Sequence, residues 1–179
     1  MVETVTVVKE NYGPAPHFHQ KSEALACIKL SGRRFAMKVR EVMTPQVEVV
    51  RPDATLKEAA EKMSRLEVGP LPVCESERLV GMLTDRDITI RAVATGCDPN
   101  TTCVREAMTP EVVYCFEDQD VETAAQMMEM RQIRRVPVLN RGNRLVGIVS
   151  LGDLAVETGN RALAGETLEH ISEPAEPNR

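Results

Sequence analysis

The sequence predicts an α/β protein of the α+β type, made of two βαββα-type repeats packed about a pseudo-twofold axis. Three observations support this prediction. One seven-residue segment occurs twice, about 65 residues apart. Each copy is followed by apolar residues at helical spacing, and each then continues into two short apolar runs with a polar turn between them.

The duplicated segment reads VREVMTP at Val39–Pro45 and VREAMTP at Val104–Pro110. Further matches follow in the same order: Ala59-Ala60 with Ala124-Ala125, Pro72-Val73 with Pro137-Val138, and Arg78–Gly81 with Arg144–Gly147. A one-residue insertion near Gly142 accounts for the change in spacing. Chance does not produce this much ordered identity, so the repeat determines the predicted architecture.

Each copy begins with a short β-prone run, at residues 47–50 and 112–115. An amphipathic helix follows, with Asp53 as the candidate cap in the first copy and Asp118 or Asp120 in the second. The apolar stripe consists of Leu56, Ala59, Ala60 and Met63 in the first copy and of Val121, Ala124, Ala125 and Met128 in the second. These stripes predict one buried helix face in each repeat.

Two strands and a second helix complete each copy. The strands are predicted at residues 71–74 and 79–83 and again at 136–139 and 145–149, and the helices at about 85–95 and 151–157. Alternating strands and amphipathic helices are typical of a small sheet layered with helices.

The repeats divide the chain into five predicted segments. They are an unassigned N-terminal extension (1–36), the first repeat (37–95), a linker rich in Gly, Pro and Asn (96–103), the second repeat (104–158) and a C-terminal tail (159–179). The end of that tail, residues 172–177, is predicted to be disordered because it is rich in Glu and Pro.

The composition restricts the possible functions. Aromatic residues make up 3% and Trp is absent, which argues against a stacking surface for single-stranded nucleic acid. A formal net charge of −5 also disfavours a phosphate-backbone partner. The N-terminus has no signal-like apolar region, no apolar run approaches the roughly 20 residues of a membrane span, and the five cysteines form no disulfide pattern. We therefore expect a soluble, cytoplasmic protein that binds neither nucleic acid nor membrane.

The most informative motif ends each repeat. A strand runs into a hydroxyl residue and an aspartate follows three positions later, which gives Thr84 and Asp87 in the first repeat and Ser150 and Asp153 in the second. The pattern is a capping box, which alone explains it. A binding role is compatible, because a helix N-terminus favours phosphate and an ionised aspartate can accept both hydroxyls of a ribose. Its recurrence favours a nucleotide site in at least one of two clefts at the repeat junction.

These features resemble the CBS (cystathionine-β-synthase-like) motif, and the chain is similar to the stand-alone two-CBS proteins of bacteria. The resemblance covers residues 39–154 and depends on the M-T-P opening, the P-V pair and the ending G-h-h-[ST]-x-x-D, where h is apolar. It implies a disc-shaped pair that often dimerises and whose clefts bind AMP, ADP, ATP or S-adenosylmethionine. We accordingly expect a homodimer that requires no cofactor and binds an adenine nucleotide as regulatory ligand, with S-adenosylmethionine the weaker candidate.

The resemblance also assigns ligand-binding residues. Thr84 and Ser150 would contact phosphate or ribose, and Asp87 and Asp153 the ribose hydroxyls. The segments before each P-V pair would line adenine or the phosphates; they are Val68, Gly69 and Pro70 in the first repeat and Ile133, Arg134 and Arg135 in the second. The two arginines suit phosphate and Gly69-Pro70 does not, so the two clefts are predicted to be unequal.

Other candidate sites are weaker. His17 and His19 have no further ligand at metal spacing, so no metal site is predicted. Cys97 and Cys103 flank the linker and could pair on oxidation, but free thiols are the expectation in a reducing compartment. There is no P-loop sequence, and all three histidines lie outside the repeats. We therefore expect no catalysis.

Two functions from different classes remain open. The favoured one is a non-catalytic regulatory module, in which nucleotide binding shifts the repeats or the dimer and an unidentified effector protein responds. The alternative is an interaction or structural protein that keeps the CBS scaffold without a ligand. An enzyme built on His17, His19 and a cysteine is the least supported. Met127 and Met130 are expected to be exposed beside the helix stripe, which favours symmetric association.

Overall fold

The computed structural model describes residues 37–173. The N-terminal extension (1–36), with His17 and His19, and the last part of the predicted disordered segment, from residue 174, lie outside the described residues. Within the described part, helices and strands alternate as the repeats predict, and the mixed helix-and-strand fold is confirmed.

The first repeat opens with the one-turn helix α1 (Val39–Val42) and the two-residue strand β1 (Thr44–Pro45). Helix α2 (Leu56–Leu66) comes next, followed by strands β2 (Pro70–Glu75) and β3 (Arg78–Thr84). Strands β2 and β3 pair antiparallel as a hairpin with a two-residue turn. The hairpin leads straight into the Thr84 motif and so fixes its position.

Helix α2 begins at a capping box formed by Thr55 and Glu58. The Thr55 hydroxyl accepts a hydrogen bond from the Glu58 N–H (3.2 Å), and the Glu58 carboxylate accepts one from the Thr55 N–H (2.7 Å). Two helix donors are thereby satisfied reciprocally. The cap predicted from the sequence, Asp53, instead forms a bidentate pair with Arg51 at 2.8 Å. Ala60 is exposed, so the buried face is narrower than the predicted stripe.

The single helix expected at about 85–95 is three short segments. They are helix α3 (Asp85–Asp87), a π-helical stretch (Ile88–Ala92) and a 3₁₀ turn (Val93–Thr95). This part of the chain is rich in β-branched residues, which lose side-chain freedom in a regular α-helix. The segment ends at Gly96, whose φ of 78° lies in the left-handed region that glycine adopts without strain.

The second repeat follows the same plan. It contains helix α4 (Val104–Ala107), strand β4 (Cys115–Phe116), helix α5 (Val121–Arg131), and strands β5 (Arg135–Leu139) and β6 (Leu145–Ser150). All four residues predicted for the stripe of α5 are buried. The region from α5 to β6 thus repeats the α2–β3 region of the first copy.

Two helices end the described chain. Helix α6 (Leu151–Glu157) has the bounds that the sequence predicts. Helix α7 (Arg161–Ser172) lies in the segment predicted to be a tail, and no sequence pattern predicts it. Its last residue, Ser172, belongs to the stretch predicted to be disordered, so that prediction is wrong at this residue. It is held against α5, since the buried Thr167 donates a hydrogen bond to the Glu129 carboxylate (2.8 Å). The helix depends on this tertiary contact, and no pattern in the local sequence predicts such a contact.

The opening segment of each repeat pairs with the last strand of the other. Strand β1 lies antiparallel to β6, with Thr44 opposite Ile148, at the edge of a sheet of order β1-β6-β5-β4. Reciprocally, Thr109 and Met82 of β3 exchange main-chain hydrogen bonds of 2.8 and 2.9 Å. The equivalent contacts in both directions give the pair its pseudo-twofold character.

The hydrophobic cores are shared in the same way. The core of the first repeat contains Val104 and Ala107 of α4, whereas the core of the second contains Val39 and Val42 of α1. These four side chains are buried. Each repeat therefore completes the core of the other, and the two form one packed unit.

The β-prone runs predicted at 47–50 and 112–115 are mostly not strands. In the first, only Val50 forms a bridge, a parallel one with Val73. In the second, strand β4 starts at Cys115, the last residue of the run. The pairing at the sheet edge goes to the M-T-P segments instead, because β1 finds an open edge on β6.

Candidate functional site

In the first repeat, Thr84 is the N-cap of α3 and Asp87 closes a capping box on it. The Asp87 Oδ2 atom accepts hydrogen bonds from the Thr84 N–H (2.9 Å) and hydroxyl (2.7 Å). Its Oδ1 atom faces Arg91, whose Nη2 atom is 3.3 Å from it. The Arg91 guanidinium also donates to the carbonyl of Ala107 (2.8 Å) and to the hydroxyl of Thr109 (3.1 Å). Both carboxylate oxygens of Asp87 are thus engaged within the protein.

In the second repeat, Ser150 and Asp153 form the same box on helix α6. The Asp153 Oδ2 atom accepts hydrogen bonds from the Ser150 N–H (2.7 Å) and hydroxyl (2.8 Å). The position that corresponds to Arg91 is Glu157. Among the described residues, the Asp153 Oδ1 atom has no hydrogen-bond donor and the carboxylate has no cationic partner. One oxygen of this carboxylate therefore stays available.

The capping interpretation is thus correct for both motifs. A capping role does not exclude ligand binding, since each carboxylate oxygen has more than one acceptor site. The binding interpretation of Thr84, Asp87, Ser150 and Asp153 stays a prediction.

Strand register shows which residues are equivalent in front of each motif. Pro70 lies directly opposite Thr84 in the first repeat, and Arg135 lies directly opposite Ser150 in the second. The second repeat therefore has an arginine at the position where the first repeat has a proline. Strand β5 carries this arginine at its first residue, beside the hydroxyl of the motif.

The residues next to Pro70 and Arg135 increase the difference in charge between the two motifs. Asp85 donates its N–H to the carbonyl of Gly69 (3.0 Å), and Leu151 donates to the carbonyl of Arg134 in the same way (2.9 Å). The Asp85 carboxylate lies 3.3 Å from where a Cβ atom on Gly69 would be. The first repeat thus places a carboxylate where the second places leucine and arginine, which favours anions only at the second motif.

A cleft of ≈ 640 Å³ opens beside the second motif. The start of β5, the start of α6 and one face of α7 form its walls. Arg134, Arg135 and Ser150 line one side, and Arg161, Ala164 and Gly165 line the other; none of its lining residues is acidic. The wall opposite the motif is α7 rather than the first repeat, so this cleft differs from the junction clefts that the sequence predicts.

The cleft brings together three of the predicted site residues: Arg134, Arg135 and Ser150. Asp153 is not among the lining residues, although it follows one of them, Gly152. Ile133 packs against the core of the second repeat. The remaining predicted residues belong to the first repeat and do not line this cleft; they are Val68, Gly69, Pro70, Thr84 and Asp87.

Two arginines of these sites are not among the residues predicted from the sequence. Arg91 lies four residues after Asp87, and this spacing on a helix is itself a signal for an ion pair. Arg161 lies in the segment predicted to be a tail, and no sequence pattern connects it with Ser150. The first could be found from spacing, whereas the second depends on the packing of α7.

The cysteines that the structure describes are all free. Burial raises the pKa of the Cys74 thiol to about 11 and that of the Cys115 thiol to about 12, so both read as core residues. Cys97 is exposed, and no disulfide links it to Cys103.

Within residues 37–173, no group of three or more His, Cys, Asp or Glu side chains could hold a metal ion. No helix in that range is long and apolar enough to span a bilayer.

The sequence profile of the family described as "CBS domain" matches residues 39–93 and 104–157. The chain belongs to the CBS domain family. The match covers both repeats, and the recognition made from the M-T-P, P-V and G-h-h-[ST]-x-x-D motifs is confirmed. The chain is also 46% identical over 134 residues to the CBS domain-containing protein YhcV of Bacillus subtilis. The aligned region covers 75% of this chain and 94% of YhcV.

Two solved CBS structures with bound ligands are similar to this fold. The crystal structure of CBSX2 in complex with AMP is 25% identical, covers 70% of this chain and 98% of its own, and has a TM-score of 0.61. The CBS domain pair of protein MJ0100, in complex with 5-methylthioadenosine and S-adenosyl-L-methionine, is 29% identical, covers 69% and 100%, and has a TM-score of 0.60.

Proposed function

We propose that this protein is a non-catalytic, cytoplasmic regulatory module that binds an adenine nucleotide (AMP, ADP or ATP) beside the second CBS repeat. The observation that carries the proposal is the cleft at the second motif, where Arg134 and Arg135 stand next to Ser150. Among the described residues, neither arginine has a carboxylate within 4 Å. Two arginines side by side at a concave site are suited to an anionic ligand.

The remaining groups fit the rest of a nucleotide. The Oδ1 atom of Asp153, which no described donor reaches, can accept hydrogen bonds from ribose hydroxyls while its Oδ2 atom keeps the cap. The guanidiniums of Arg134 and Arg135 can fork onto phosphate oxygens, a geometry that a sulfonium ligand does not use. We therefore favour a phosphate-bearing nucleotide over S-adenosylmethionine. The adenosyl ligands of CBSX2 and MJ0100 support the adenosine part of the proposal.

The first motif is the weaker candidate for the same ligand. Asp87 is already paired with Arg91, and the Asp85 carboxylate lies beside Gly69 and Pro70. A phosphate there would meet the like charge of Asp85, and the ribose hydroxyls would have to compete with Arg91 for the Asp87 carboxylate. The module accordingly binds one nucleotide strongly, at the second repeat.

The exchanged opening segments suggest how binding is transmitted. Ser150 ends strand β6, and β6 carries β1 of the first repeat on its free edge. A ligand that fixes the Ser150 motif therefore also restrains an element of the other repeat. We propose that this changes the relative angle of the repeats or the assembly of a homodimer, and that an effector protein responds to the change.

A second candidate is an interaction or structural protein without a ligand. It is favoured by the capping boxes, because Thr84 with Asp87 and Ser150 with Asp153 explain the motif without any nucleotide. Exposed apolar residues of the first repeat, Ile90 (51%) and Val93 (61%), could serve an interface directly. Ligand titration separates the two functions.

The test is a thermal-shift and calorimetric titration of the full chain with AMP, ADP, ATP and S-adenosylmethionine. A nucleotide at 100 times its Kd should add about 2.7 kcal/mol to the free energy of unfolding, which raises the Tm by a few degrees. Arg135→Ala should weaken the phosphate-bearing ligands about 10- to 100-fold. The control is Arg65→Ala, since Arg65 is an exposed arginine that does not line the cleft. If no adenosyl compound binds at millimolar concentration, the nucleotide-binding function is wrong and the ligand-free interaction protein is the function that stands.

A further inference from the structure

Helix α7 lies outside both segments matched by the CBS family profile, yet it forms one wall of the cleft. Its lining residues Arg161, Ala164, Gly165 and Leu168 follow the spacing of a single helix face. Ala164 and Gly165 are small, and a Cβ atom on Gly165 would meet no other atom within 4 Å. The face that α7 turns to the cleft therefore leaves room for a ligand, with one guanidinium at its N-terminal end.

Three arginines line this cleft. Arg161 belongs to α7, and Arg134 and Arg135 belong to the opposite wall. All three are exposed, and the ion pairs formed among residues 37–173 leave each of them without a carboxylate within 4 Å. Three like charges around one cavity repel each other, and an anion that carries several charges relieves this repulsion.

The number of arginines exceeds what one phosphate needs. A single phosphate is well bound by one or two arginines through paired N–H···O bonds, whereas a di- or triphosphate offers oxygens at several places along its length. Arg134 and Arg135 are adjacent in the chain, and Arg161 lies on a separate helix across the cleft. The cleft thus presents positive charge on two opposite walls, as a polyphosphate chain between them requires.

We propose that Arg161 binds the terminal phosphates of a nucleoside di- or triphosphate, so that α7 makes the site distinguish nucleotides by phosphate number. The inference rests on the proposed function, which places the nucleoside and first phosphate at Ser150, Asp153, Arg134 and Arg135. Arg161 adds the part that the CBS repeats themselves do not supply. ATP and ADP then bind more tightly than AMP, and they hold α7 to the start of β5.

The positions of the other groups on α7 agree with this role. The helix is held to α5 from its later turns, where Thr167 donates to Glu129 and His170 lies 3.5 Å from the same carboxylate. Its first turn, with Arg161, is capped by Asn160, whose side chain accepts a hydrogen bond from the Leu163 N–H (3.2 Å). The Arg161 side chain takes part in neither anchor, so its replacement should not release the helix.

The experiment is calorimetry of AMP, ADP and ATP with the full chain, its Arg161→Ala and Arg161→Lys variants, and the Arg65→Ala control. We expect Arg161→Ala to weaken ATP about 10- to 100-fold while AMP changes less than about twofold. Arg161→Lys should recover part of the ATP affinity, because it keeps the charge and loses the fork. Far-UV circular dichroism and the Tm of each variant check that α7 is intact.

Two outcomes overturn the inference in different ways. If AMP and ATP bind the wild type but Arg161→Ala weakens both equally or neither, the nucleotide site stands and the role of Arg161 is wrong. If no adenine nucleotide binds the wild type, the proposed function fails and the inference fails with it. Wild-type affinity that is equal for AMP and ATP also contradicts the inference.

Discussion

The Sδ atom of Met43 lies 2.8 Å from the position that a Cβ atom would occupy on Gly147. The first repeat has the reciprocal relationship, with Met108 against Gly81 at 2.6 Å. The M-T-P segment of each repeat therefore crosses the glycine of the G-h-h-[ST]-x-x-D motif of the other. Two motifs that are far apart in the sequence are the two sides of one contact, and each glycine is needed because a neighbouring segment approaches closely.

We predict that Gly147→Ala destabilises the fold by about 1–3 kcal/mol and more than Gly81→Ala does. A Cβ atom on Gly147 would lie 2.7 Å from the Thr44 carbonyl oxygen, which is main chain and cannot step aside. On Gly81 the closest atom belongs to the flexible Met108 side chain, and the main-chain oxygen of Thr109 is 3.1 Å away. Urea unfolding of both variants measures the difference.

Gly165→Ala serves as the control for this pair. It lies within helix α7 with open space around it, so alanine there should raise the free energy of unfolding by about 0.5–1 kcal/mol. If Gly147→Ala and Gly81→Ala lower the free energy of unfolding equally, the Thr44 carbonyl is not what makes the substitution at Gly147 destabilising.

We predict that Asp153→Asn weakens AMP binding about 10- to 100-fold, whereas Asp87→Asn changes it less than about threefold. No donor among residues 37–173 reaches the Asp153 Oδ1 atom, whereas the Asp87 Oδ1 atom is paired with Arg91. Both variants alter an equivalent capping box, and Asp87→Asn also removes the ion pair with Arg91, so Asp87→Asn should lose at least as much stability as Asp153→Asn while losing less affinity. Calorimetry and thermal unfolding together test this. Identical losses of affinity would contradict the inequality of the two motifs.

We predict a homodimer with twice the 19.8 kDa chain mass in static light scattering at micromolar concentration. Ile90 and Val93 are one helical turn apart and more than half exposed, which favours symmetric association through this face. Of the two methionines expected to be exposed, Met130 is (69%), whereas Met127 packs against the core of the second repeat. Replacing Ile90 and Val93 by Glu should give a folded monomer. A wild-type mass near that of one chain would refute the prediction.

We predict that stability declines at alkaline pH partly because of Cys115. Burial raises its thiol pKa from 9.0 to about 12, so the folded state favours the protonated thiol. The stabilisation is complete below about pH 9 and is lost as the pH rises towards 12. Between pH 8.5 and 10.5 the wild type should lose about 2 kcal/mol more than Cys115→Ala. Cys115→Val should share the flatter pH curve, which separates ionisation from the cavity. Parallel curves for all three proteins would exclude this contribution.

Local pattern was enough to predict helices α2, α5 and α6 and the two hairpins, because their apolar spacing and turn residues are contiguous. The pairing of Thr44 with Ile148 could not be predicted in this way, since it joins residues about 100 positions apart and depends on an open sheet edge. The Ser150 motif was found from its repetition. Its cleft was not, because the opposite wall is α7, whose contact through Thr167 and Glu129 leaves no periodic signal.

Because the two repeats share their cores, they are expected to fold together as one unit. A chain cut inside the linker 96–103 would give two halves, each with a gap where α1 or α4 of the other belongs. Neither half could exclude water from its core alone, so the halves should recover structure only by associating, as in fragment complementation. By the same reasoning, a single repeat on its own could bury its core only by exchanging opening segments with another copy, in the manner of a domain-swapped dimer.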